Sequence, residues 1–69
     1  MEREVATVKL TKPAGFGFLI LEGGAELFFH RAHCIPHDLF EQLKPGIQVS
    51  FRVGEGRFGP VGKDIRRLS

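Results

Sequence analysis

The chain has 69 residues, a formal net charge of +2 and a sequence pI of 9.1, which fits one small domain that tolerates a polyanionic partner. A single cysteine excludes an internal disulfide, no apolar run approaches the roughly 18 residues of a membrane span, and Met1-Glu2-Arg3-Glu4 lacks the apolar core of a signal peptide, so a soluble, cytoplasmic chain is expected. Seven phenylalanines without tyrosine or tryptophan, with nine glycines and four prolines, point to short strands and many turns and exclude a helical bundle.

Residues 5–10 read as a first strand, with Val5, Thr7 and Val8 β-branched. Val5, Val8 and Leu10 cannot share one face at a period of two, which predicts a bulge. Pro13 ends this strand within a turn over residues 11–15. A second strand, residues 16–21, puts Phe16, Phe18 and Ile20 on one face and Gly17, Leu19 and Leu21 on the other. Gly23-Gly24 then marks a hairpin into a third strand, residues 27–30, which separates Leu27 and Phe29 from Phe28 and His30. The His30 face is expected outside, because an imidazole tip prefers water. Antiparallel pairing would then set Phe28 beside Phe16 and Phe18.

Residues 31–46 form a long connection with room for one or two helical turns in residues 36–43. Asp38 with Glu41 three residues on resembles a capping box, and Pro45-Gly46 marks a turn. The fourth strand, residues 48–53, alternates cleanly, with Val49, Phe51 and Val53 expected inside. A mobile loop is expected over residues 54–60. A last strand over residues 62–68 would bury Ile65 and Leu68. Five short strands without a long helix predict an all-β fold closed into a small barrel, since closure removes edges prone to aggregation.

Pattern alone leaves Phe16, Phe18 and Phe28 open to a core or an outer platform. Volume favours the platform. Leu19, Leu21, Leu27, Phe29, Val49, Phe51, Val53 and Ile65 already fill a barrel of this size, and three more rings would overpack it. An exposed aromatic trio suits flat ligands, above all the bases of single-stranded nucleic acid. A loop phenylalanine such as Phe40 or Phe58 fits equally well as a lid packed onto the barrel. Lys9, Lys12, Arg31, Arg57 and Lys63 are candidate phosphate contacts, each also readable as a solvated charge; Arg66 and Arg67 are read as solvated.

Chemistry finds little support. His30, His33, Cys34 and His37 fall within a short stretch, but their spacing matches no common zinc finger and adjacent His33 and Cys34 converge poorly on one ion. No metal or other cofactor is expected, and Cys34 reads as a small buried residue near one end of the barrel. No Ser-His-Asp or Cys-His-Asn arrangement can be placed, and Gly15-x-Gly17 lies in a strand instead of a strand-to-helix phosphate loop. The chain is not expected to be an enzyme.

Val8-Lys9, Gly15-Phe16-Gly17-Phe18-Leu19, Leu27-Phe28-Phe29-His30, Leu43-Lys44-Pro45-Gly46, Val49-Ser50-Phe51 and Gly59-Pro60 follow one another in the order and spacing of the cold-shock domain family, which the chain resembles from about Val5 to Leu68. The resemblance implies a five-stranded, antiparallel OB-type barrel that binds single-stranded RNA or DNA with loose sequence preference. It places base-stacking groups on Phe16, Phe18, Phe28 and His30, a further one on Phe40, and a phosphate-contacting lysine on Lys9. The family usually has Trp-Phe after that lysine, a lysine before Gly-Phe-Gly-Phe and an aromatic after the motif histidine. Here stand Leu10 and Thr11, Ala14 and Arg31, and the first turn is one residue shorter. A guanidinium plane can stack on a base or bind phosphate, so Arg31 is expected to recover part of the loss. The leading expectation is a binding module or RNA chaperone, with no membrane or small-molecule partner. The alternative is a protein-interaction barrel with weak or no affinity for nucleic acid.

Overall fold

Residues 3–68 are described by the computed structural model. Five strands, β1 (Glu4–Lys12), β2 (Phe16–Leu21), β3 (Glu26–His30), β4 (Gln48–Gly56) and β5 (Gly59–Arg67), close into a barrel in the order β1-β2-β3-β5-β4. A 3₁₀ turn (Arg31–His33) and one turn of helix, α1 (Leu39–Gln42), lie between β3 and β4. Most neighbours run antiparallel, but β3 and β5 meet in parallel through Phe28 with Val61 and Phe29 with Gly62. This is the five-stranded OB-type barrel expected from the sequence, and its one parallel contact is the seam where the long β3–β4 connection brings the chain around. No helix among the described residues is long and apolar enough to cross a membrane.

The predicted bulge in β1 is present. Val8 pairs with Leu19 and Leu10 with Phe18, so Lys9 is the extra residue between them. Val8 is buried and Lys9 exposed. The core collects the inward faces of all five strands, with Leu19, Phe29, Val49, Phe51 and Ile65 fully enclosed. Leu39, Phe40 and Leu43 around α1 complete the same cluster, and Leu21 packs at its edge. Gly17 makes room for Phe29: a Cβ there would lie 2.5 Å from the Leu10 carbonyl oxygen and 2.8 Å from the Phe29 ring.

The structure departs from the sequence reading in the second half of the chain. Residues 54–60 are not a loose loop but the end of a β4–β5 hairpin, paired through Gly54 with Val61, Glu55 with Pro60 and Gly56 with Gly59. The pairing of β1 with β4 stops at Phe51 and that of β3 with β5 at Val61, so residues 55–60 project beyond the barrel wall as a two-stranded ribbon. Val53 has the inward parity yet is 49% exposed, because it lies past the last residue of β4 that β1 covers, at the rim of the barrel. Leu68 lies past the last residue of β5, at the other end of that strand, and is 45% exposed. Asp38 precedes α1 but its side chain makes no capping bond, so the capping box is absent. The first amides of α1 bond instead to the carbonyls of Pro36, His37 and Asp38, and Glu41 turns to Arg31.

Candidate nucleic-acid interface

Register fixes the outer face of the β2–β3 hairpin. Phe16 lies opposite His30, Phe18 opposite Phe28 and Ile20 opposite Glu26. Their neighbours in sequence, Leu19, Leu27 and Phe29, point into the core. Three rings therefore gather on the outside. Phe16 and Phe28 are stacked at 5.6 Å between centroids and 25° between planes. Phe18 stands edge-on to both, at 5.8 Å from Phe28 and 6.2 Å from Phe16. Phe28 is 38% exposed, and Phe16 and Phe18 are half-buried. Such packing holds each ring in one orientation while leaving a face or edge toward solvent. His30 is exposed beside Phe16, and its Nδ1 accepts the Ala32 N–H at 3.1 Å, which pins the imidazole at the start of the 3₁₀ turn.

The cations flanking these rings are engaged. Lys9 Nζ lies 2.5 Å from Glu26 Oε2, both side chains being largely solvated. Arg31 donates from Nη2 to Glu41 Oε2 at 2.8 Å, and its guanidinium carbon lies 5.5 Å from the centroid of the Phe40 ring. The Arg31 backbone is tied to the β1–β2 turn through its N–H, which donates to the Gly15 carbonyl at 2.8 Å. Phe40 is only 7% exposed and meets the core ring of Phe29 edge-on at 6.1 Å. Of the residues singled out in the sequence, Phe16, Phe18, Phe28 and His30 are brought together, Lys9 and Arg31 border them, and Phe40 lies in the core cluster beneath Arg31.

Phe58 is not a lid. It occupies the tip of the β4–β5 hairpin and is 97% exposed. The glycines bracketing Arg57-Phe58 were the available sequence signal, since Gly-x-x-Gly between alternating runs reads as a tight hairpin.

Cys34 is fully buried beside Ile65, and burial raises its thiol pKa from 9.0 to about 11, with Arg31 lowering and Glu41 raising it to a smaller extent. A thiol held neutral in this way is a poor nucleophile and a poor metal ligand. His33 is half-buried and His37 exposed, and among the described residues no three His, Cys, Asp or Glu side chains form a group that could hold a metal ion.

A family model described as the 'Cold-shock' DNA-binding domain matches residues 4–68. The cold shock-like protein CspE of Bacillus anthracis is 43% identical over 54 residues, covering 78% of this chain and 79% of that protein. The cold shock protein CspD of Bacillus subtilis is 39% identical over 54 residues, 78% of this chain and 80% of its own length. The cold shock-like protein CspLB of Listeria monocytogenes is 35% identical over 66 residues, 94% of this chain and 98% of its own.

Proposed function

Because the chain belongs to the cold-shock DNA-binding domain family, whose members bind nucleic acid, we propose that it captures single-stranded RNA or DNA by stacking bases on Phe16, Phe18, Phe28 and His30. One observation carries this reading: three phenylalanine rings pack on each other outside the barrel while a separate set of side chains fills it. The rings stand on paired strands, so a base that docks there orders little of the protein, which lowers the entropic cost of binding. Lys9 and Arg31 hold the sugar–phosphate backbone at the platform's borders by exchanging a carboxylate for a phosphate. Phe40 acts from below, as the ring against which Arg31 rests.

The mechanism is capture. Bases in a duplex face one another and cannot reach the rings, so binding draws on strands that have already opened and holds them open without ATP. Stacking contributes about 1–3 kcal/mol per base, comparable with the roughly 1.4 kcal/mol mean stacking of one duplex step. Two or three stacked bases thus suffice to offset the closing of a short stem.

An RNA hairpin carrying a fluorophore and a quencher on its two ends tests this. Excess protein is expected to separate the ends without ATP, and Phe18→Ala to abolish the effect while remaining folded. A hairpin that stays closed at protein concentrations that saturate an unstructured strand would contradict the capture mechanism.

A further inference from the structure

We propose that the tip of the β4–β5 hairpin is an additional base-binding position, in which Phe58 stacks on a base that has run past Phe28 and Arg57 holds the adjoining phosphate. The inference rests on the platform reading above and extends the bound strand in a direction that the β2–β3 rings do not cover.

The hairpin is built to present these two residues. Gly56 pairs with Gly59, which leaves Arg57 and Phe58 as the turn. Gly59 has φ +132°, a conformation that side chains rarely adopt, and it lets β5 begin directly after Phe58. The parallel contact of Phe28 with Val61 brings the base of this hairpin against the edge of the aromatic cluster. Between them lies a hollow of about 320 Å³ bordered by Phe28, Pro60, Val61, Phe58 and Arg57. Phe28 is thus shared by the platform and by this hollow, so a strand leaving the platform meets the hollow without a gap.

Two properties mark the occupant as a nucleic-acid strand. The first is charge. Lys9 and Arg31 are each held by a carboxylate, whereas among the described residues no carboxylate lies within ion-pair distance of Arg57. A free guanidinium beside an apolar hollow matches a ligand that alternates anionic and flat aromatic groups. The second is symmetry. A second copy of the chain docking tip to tip would bring the two Arg57 guanidinium groups to one contact, with Glu55 of each hairpin the nearest acidic group in sequence. Phe58 itself supports nothing inside the fold, being 97% exposed, so its ring is available for an outside contact.

The test uses end-labelled oligothymidylates lengthened one nucleotide at a time, with fluorescence anisotropy on the unmodified protein, Phe58→Ala and Phe58→Trp. Phe58→Ala is expected to fold normally by circular dichroism and to match the unmodified protein on short strands. On longer strands it should lack a final gain in affinity of about tenfold, within the range for one stacked base. Phe58→Trp should keep that gain, and its indole, the sole tryptophan of a chain that has none, should be quenched only by strands that reach it. Identical affinities for Phe58→Ala and the unmodified protein at every length would overturn this inference and leave the platform standing, as would a tryptophan unquenched at saturation. A dimer seen by sedimentation that dissociates in Phe58→Ala would assign the tip to a second copy instead. If the unmodified protein binds no strand of any length, the platform reading fails and this inference fails with it.

Discussion

Arg31 holds Glu41 at 2.8 Å while its guanidinium lies over the ring of Phe40, so the cation nearest the His30 end of the platform is already committed within the free protein. A phosphate can use Arg31 only by displacing that carboxylate. Exposed ion pairs are worth about 0.2–1 kcal/mol, so the competition is modest but measurable. Glu41→Gln is expected to tighten binding of a labelled single strand by about two- to fivefold at low salt, with the difference shrinking as salt rises. Glu26→Gln should act in the same direction through Lys9. A salt series of anisotropy titrations checks both; weaker binding by either variant would show that the carboxylates orient their cations instead of occupying them.

Phe28 and Phe29 are adjacent in sequence and opposite in consequence. Phe29 is fully enclosed, and truncating such a ring costs about 3–5 kcal/mol, as much as the whole net stability expected of so small a core. Phe29→Ala is expected to be largely unfolded at room temperature. Phe28→Ala loses two ring contacts at the surface, about 1–3 kcal/mol together, and should melt cooperatively at a lower temperature while binding single strands at least tenfold more weakly. Thermal melts followed by circular dichroism, paired with anisotropy, separate the two effects.

Gly17→Ala should also destabilise the barrel, for a reason unrelated to turns. The added Cβ would press on the Leu10 carbonyl oxygen at 2.5 Å and on the Phe29 ring at 2.8 Å. The oxygen belongs to a paired strand and cannot retreat without opening the β1–β2 pairing. A loss of about 2 kcal/mol or more is expected, as for an overpacked core, and chemical denaturation measures it.

Cys34 makes stability depend on alkaline pH. Its thiol titrates at about 11 in the folded chain and at 9.0 when exposed. Between those values the unfolded chain has released a proton that the folded chain retains, so rising pH favours unfolding. The contribution is complete below about pH 9 and is lost as pH approaches 11, a total of roughly 2–3 kcal/mol. Cys34→Ala should remove this slope from the alkaline limb of a stability profile, and modification by a thiol reagent should be slow in the folded protein. A slope unchanged in Cys34→Ala would assign the alkaline loss to other groups.

The strands were legible where one face of the chain is apolar and stays over the core. Residues 16–21 match β2 as read, and the failure of Val5, Val8 and Leu10 to share one face predicted a bulge that the structure places at Lys9. Reading failed where alternation continues past the cover of a neighbouring strand, as at Val53 beyond the end of the β1–β4 pairing, and where a local motif lost to a tertiary partner, as when Glu41 turned to Arg31. The aromatic platform was readable because register follows from the short Gly23-Gly24 turn. The ion pairs beside it were not. Lys9 and Glu26 stand on β1 and β3 with β2 between them, so their pairing depends on the packing of three strands and is not local in sequence. The sequence leaves Phe58 open between a lid and an outward ring, because its exposure depends on how far the hairpin extends beyond the barrel.

The central claim is that the β2–β3 rings are turned outward to receive bases. Anisotropy of a labelled, unstructured oligonucleotide, titrated with the unmodified protein and with the folded double variant Phe18→Ala/Phe28→Ala, tests it most directly. Micromolar or tighter binding is predicted, with a log–log salt slope of roughly −2 for about three phosphate contacts, and its loss in the double variant. Failure to saturate at high micromolar protein, or undiminished binding by the double variant, would contradict it.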